Sequence, residues 1–166
     1  MKKVVKEFEV YNYKELDKDI QEKLLDKEKE DCLNLYCDTW LQEDMTEKAK
    51  ELLKKYFGDN AEFNGVCYDL GYSQGDGAMI EFDLNYYNQS ICVCNNGKYC
   101  HQYSFILNYY GDLGEKREQK LKEKIVNMNN ELTDFGYDLI DIDNFTDEAL
   151  ENLESRTYLK NGTIFD

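Results

Sequence analysis

The chain has 166 residues, 35 acidic side chains against 20 basic ones, one histidine and no proline, for a net charge of −15. At 42% hydrophobic and 14% aromatic it is too apolar for a disordered acidic tail, and it is long enough to bury the core of one domain. The charge argues against direct nucleic-acid binding, which needs a basic face to displace counterions, and against adhesion to an anionic membrane surface.

Residues 3–13 set Val5, Phe8, Val10 and Tyr11 among charges and predict a first strand. Leu16, Ile20 and Leu24 then fall four apart, so a helix with one apolar stripe is expected from 14 to about 36. A second helix is expected to open at Met45-Thr46-Glu47 with Thr46 as N-cap, to bury Ala49, Leu52, Leu53 and Tyr56, and to stop at Gly58. From Glu62 to Tyr110 the chain turns rich in Tyr, Phe, Val, Ile and Cys, with Lys98 its one base. Four strands are expected there, at about 62–73, 77–85, 90–95 and 98–110, as an antiparallel meander with turns at Gly75-Asp76-Gly77 and Asn96-Gly97. Its apolar side chains need a partner layer.

Leu121, Ile125, Met128, Leu132 and Phe135 follow spacings of 4, 3, 4 and 3, which predicts a helix, with Gly136 in the position of a C-cap. Tyr137–Asp143 alternates as a short strand. Thr146-Asp147-Glu148 caps a last helix holding Leu150 and Leu153, and residues 158–165 form a small hairpin or closing strand. With no repeats or Pro/Ser linkers, the expectation is a single α+β domain over residues 1–166, its meander packed against helices. The start leads into no apolar run of signal-peptide length and no stretch is long enough to span a bilayer, so a cytoplasmic protein with its six cysteines reduced is expected.

Several constellations carry chemistry in principle. Ser73-Gln74-Gly75-Asp76-Gly77-Ala78 permits positive φ and close backbone approach, but it joins two strands and lacks the lysine of a phosphate loop, so it reads first as a demanding turn. Cys92 and Cys94 share a strand face, and with Cys100 and His101 they offer zinc donors, although the spacing fits no two-plus-two knuckle and cysteine also packs well on strands. Asp69, Asp76, Glu81 and Asp83 supply carboxylates for metal-assisted hydrolysis, with His101 as the one imidazole, but without the lysine a nuclease adds close by. No catalytic residue and no cofactor is therefore assigned.

Charge position says more. From Ile125 to Ser155 the chain carries Glu131, Asp134, Asp138, Asp141, Asp143, Asp147, Glu148, Glu151 and Glu154 and no base. On the last helix Asp147, Glu151 and Glu154 share a side, at rises of about 6 and 4.5 Å. Duplex DNA carries a charge every 1.7 Å or so of axis, about 3.4 Å per strand, so such a row can compete for a basic nucleic-acid channel. A solvated acidic face that keeps the protein soluble explains the same residues.

Three stretches together resemble a family. Phe8-Glu9-Val10-Tyr11-Asn12-Tyr13-Lys14-Glu15-Leu16 is similar to an N-terminal strand-to-helix signature. Tyr68-Asp69-Leu70-Gly71-Tyr72 followed by the Ser73–Ala78 block resembles an S/C-Q-G-D-G-A/V motif. Asp147-Glu148 with residues 158–165 is similar to the usual ending. These belong to small bacteriophage and prophage proteins without assigned catalytic residues. The resemblance implies a phage-borne protein in a bacterial host cytoplasm. By analogy of context it implies a non-enzymatic, anti-CRISPR-like inhibitor whose acidic surface (Asp138, Asp141, Asp143, Asp147, Glu148, Glu151, Glu154) occludes a nucleic-acid-handling complex, a CRISPR effector for instance. The competing readings are a metal-dependent hydrolase or nucleotide-processing enzyme centred on Asp69, Asp76 and His101, and an antitoxin-like regulatory partner.

Overall fold

The structure, a computed structural model, describes residues 6–71, 75–97, 100 and 102–165. In chain order its elements are β1 (Tyr11–Asn12), α1 (Lys18–Thr39), α2 (Leu41–Phe57), β2 (Ala61–Asp69), β3 (Gly77–Tyr86), β4 (Gln89–Asn95), β5 (Phe105–Tyr109), α3 (Glu115–Leu139), α4 (Thr146–Glu154) and β6 (Thr157–Tyr158). The fold is α+β, with an antiparallel four-stranded meander and helices against it, as the sequence pattern predicts. The chain divides into two compact units, Met1–Thr39 with Ile140–Asp166, and Trp40–Leu139. Among the described residues no helix is long and apolar enough to cross a membrane.

In the Trp40–Leu139 unit the order β2-β3-β4-β5 follows the chain. Period 2 sends Ile80, Phe82 and Leu84 of β3 and Ile91 and Val93 of β4 to one face, all buried. Ala49, Leu52 and Leu53 of α2 and Leu121, Ile125, Met128 and Leu132 of α3 bury there too. Each large aliphatic or aromatic side chain so removed from water contributes about 1.5–3 kcal/mol. The β3 ladder to β4 begins only at Phe82, paired with Val93, so the amides of Ala78 and Ile80 have no strand partner on that side. Helix α3 supplies one: Thr133 Oγ1 accepts from Ala78 N at 2.8 Å and the fully buried Asn129 Oδ1 from Ile80 N at 3.1 Å.

The Met1–Thr39 and Ile140–Asp166 unit packs α1 against α4 and closes on the antiparallel pair β1–β6. Tyr13, Leu16, Leu153 and Tyr158 form its core, with Cys32, Phe145 and Ala149 as a second cluster. Glu28 is buried and meets Arg156 at 2.7 Å, an ion pair that ties α1 to the segment entering β6. The end of the chain is the expected small hairpin, with Tyr158 bridged to Ile164.

Several boundaries differ from the sequence reading. The expected first strand shrinks to Tyr11–Asn12, because residues 6–10 are exposed and outside any ladder, and residues 3–5 lie outside the described residues. Helix α2 begins at Leu41 rather than Met45; Trp40 is its N-cap, and Thr46 sits inside the helix with its hydroxyl donating to the Gln42 carbonyl at 2.7 Å. Gly58 does end it, at φ +61. Gly136 is no C-cap: α3 runs on to Leu139, and a Cβ at Gly136 would stand 3.0 Å from Leu70 Cδ1 and 3.2 Å from Met45 Cε. Its role is close packing. Tyr137–Asp143 is accordingly not a strand but the end of α3 and the start of a 3-10 turn at Ile142–Phe145. Asn96-Gly97 is no two-residue hairpin turn, since β5 starts only at Phe105, opposite Asn95. The tight turn is Tyr87-Asn88, at φ +50 and +61, both left-handed as a type I′ turn requires.

Candidate partner-binding surface

The acidic residues singled out by the sequence divide between the two units. Asp138 belongs to α3, in the Trp40–Leu139 unit, while Asp141 to Glu154 belong to the other. Within that second group the carboxylates have different duties. Asp141 caps the 3-10 turn by accepting from Asp143 N at 3.0 Å. Asp143 meets Lys29 of α1 at 2.7 Å, and Glu154 meets Lys14 at 2.8 Å. Asp147, Glu148 and Glu151 on α4 are exposed and, among the described residues, form no ion pair. The Lys14–Glu154 pair is open to solvent, with the Lys14 side chain 73% exposed, so a basic partner displaces that lysine at about 0–1 kcal/mol, whereas the Lys29 side chain is only 13% exposed and is not so easily replaced.

Sequence reasoning passed over a second row. Asp19, Glu22, Asp26 and Glu30 follow helical spacing along α1, on the side away from the buried Glu28 and Cys32, and all four are exposed. Lys23 and Lys27 border this row, which is why charge counting along the chain hides it. The two rows share one field. Burial, and after it the charges of Glu154, Asp26 and Glu22, push the Tyr13 hydroxyl up from its ordinary value, while that hydroxyl donates to the Gln21 carbonyl at 3.0 Å. The unit as a whole carries 18 acids against 10 bases, a net of −8.

The Ser73–Ala78 block lies only partly in view, because Ser73 and Gln74 fall outside the described residues. Gly75 and Gly77 take φ +103 and +144, the positive values their sequence invites. Asp69 Oδ1 accepts from Gly71 N at 3.3 Å, and the Asp76 carboxylate approaches the same glycine. His101, the imidazole of the hydrolase reading, lies outside the described residues. On the sheet face away from the helices, Cys92 neighbours Cys94, and Cys100 hydrogen-bonds Cys67. Burial and then the contact with Cys67 raise the Cys100 thiol to about 11; burial and the Asp83 contact do the same for Cys92. Among the described residues no three Cys, His, Asp or Glu side chains converge to hold a metal ion.

The chain matches no family model, no curated protein and no solved structure. Its function therefore has to be argued from its own surface.

Proposed function

We propose that this is a phage-borne, non-enzymatic inhibitor acting in a bacterial host cytoplasm, and that its acidic unit occludes the basic surface of a nucleic-acid-handling defence complex such as a CRISPR effector. One observation carries the reading: α4 presents Asp147, Glu148 and Glu151 exposed, without ion pairs among the described residues, on a helix that contains no base. Such a surface competes with phosphates for lysines and arginines, and its field steers encounter over a Debye length or more at low salt. The row on α1 widens the footprint, and the exposed Lys14 is the counter-charge a partner replaces.

The test is capture of partners from a bacterial lysate by the tagged protein, followed by inhibition of the captured complex's nucleic-acid binding. Replacing Asp147, Glu148 and Glu151 by Asn or Gln should weaken inhibition about tenfold or more at low salt and flatten its salt dependence. Inhibition that survives the triple replacement unchanged refutes the proposal.

A further inference from the structure

The two edges of the four-stranded sheet are treated differently. Edge strand β2 carries the protections that edges usually carry: a bulge between Phe63 and Gly65, and the charges of Glu62 and Asp69. Edge strand β5, Phe105-Ile106-Leu107-Asn108-Tyr109, has none. It holds no charge and no proline in a chain that is 33% charged, and its ladder to β4 is unbroken from Asn95–Phe105 to Ile91–Tyr109. Around it stand Ile106, 45% exposed, Tyr103, 62% exposed, and Tyr110, 99% exposed. A groove of about 650 Å³ lined by Tyr103, Phe105, Lys122 and Val126 runs beside the strand's start.

Hydrogen-bond parity fixes which backbone groups face outward. Asn96 N donates to Ser104 O at 2.9 Å, so Ser104, Ile106 and Asn108 turn their amides and carbonyls toward β4. Phe105, Leu107 and Tyr109 therefore turn theirs to the edge, which no strand covers among the described residues. These three positions are symmetric about Leu107. We propose that β5 pairs antiparallel with β5 of a second copy of this chain, about a two-fold axis at Leu107, joining two four-stranded sheets into one. In that register Phe105 meets Tyr109 of the second copy, Leu107 meets Leu107, and every outward amide and carbonyl of the three residues gains a partner. A second copy, rather than an acidic or basic peptide, fits because the strand is uncharged: two chains of −15 each can appose there without bringing like charges into the ladder.

Light scattering coupled to gel filtration of the full chain at high micromolar concentration tests this, with a mass of twice 19.7 kDa expected. Ile106→Lys puts like charges into the pairing on an exposed position and should return the monomer. Leu107→Pro removes an outward amide without touching the bonds to β4 and should do the same. Hydrogen exchange gives the independent readout, with the amides of Phe105, Leu107 and Tyr109 protected at high concentration and at least tenfold faster on dilution. A monomer at every concentration overturns the proposal, and so does a dimer that survives both variants or leaves those amides fast.

Discussion

Tyr56 and Glu131 show how one contact sets a pH window. Glu131 accepts from the Tyr56 hydroxyl and the Lys55 ammonium, both at 2.6 Å. Those bonds hold the Glu131 carboxyl below its ordinary value, Lys55 first and Tyr56 second, and the Glu131 bond leads in pushing Tyr56 up to about 12. The depressed carboxyl adds stability that is present above its unfolded value near 4.5 and is lost as pH falls through the folded one. The raised phenol adds stability that is present below its unfolded value of 10.0 and is lost as pH rises toward about 12. Denaturant midpoints of Tyr56→Phe against the parent should therefore differ most on the plateau between these limits, by about 1 kcal/mol, and converge beyond both ends. A difference independent of pH would show that the hydroxyl acts otherwise than through its bond to the ionised Glu131. The thiols make a similar case. With Cys92 and Cys100 held near 11, iodoacetamide should label both slowly at pH 7.5 and faster with each step in pH.

The Tyr87-Asn88 turn shows the next scale, where backbone conformation and strand register decide each other. Both residues are left-handed, and Tyr87 is held there with the Arg117 guanidinium 4.3 Å over its ring and the Tyr86 ring edge-on at 4.7 Å. Asn tolerates this region and a β-branched residue does not, so Asn88→Val should cost about 1–2 kcal/mol in urea unfolding, with Asn88→Gly neutral or better. Tyr-Asn advertises a turn only through Asn88, whereas Asn96-Gly97 does so strongly; pairing of β4 with β5 from Phe105 onward overrode the local signal. The same contest explains Gly136. Its sequence position after Phe135 suits a cap, but the apolar period of α3 continues through it, and only the approach of Leu70 and Met45 reveals why a glycine stands there. What was legible was period: the 4-3-4-3 spacing of α3 and the alternation of β3 and β4 follow directly from one-sided burial. The acidic row of α4 was legible because no base interrupts it, and the row of α1 was not, because Lys23 and Lys27 interleave it in sequence and border it on the helix. In the same unit, Arg156→Met leaves the Glu28 carboxylate buried without its partner. That should lower stability by about 1.5–3 kcal/mol, and a change below about 0.5 would mean that water replaces the guanidinium.

Across the whole molecule the charge opposes folding more than it helps. The Debye length falls from about 30 Å at 0.01 M salt to about 3 Å at 1 M, which removes self-repulsion among carboxylates while weakening exposed ion pairs worth about 0–1 kcal/mol each. With a net of −15 the first effect exceeds the second, so the melting temperature at pH 7 should rise with sodium chloride by several degrees. The placement of Glu151 sharpens the point. Acids in the first turn of α4, Asp147 and Glu148, suit the positive end of the helix, but Glu151 and Glu154 occupy the last turn, where the dipole disfavours them and the helix itself holds no base; Lys14 offsets Glu154 alone. Stability alone gives no reason for a carboxylate at Glu151. Glu151→Gln should raise stability by about 0.3–1 kcal/mol at low salt, the gain shrinking as salt is added, and should at the same time weaken inhibition of the captured complex. Opposite movement of the two readouts would mark Glu151 as retained for binding at a cost to the fold, whereas a variant that is more stable and equally inhibitory would remove it from the binding surface.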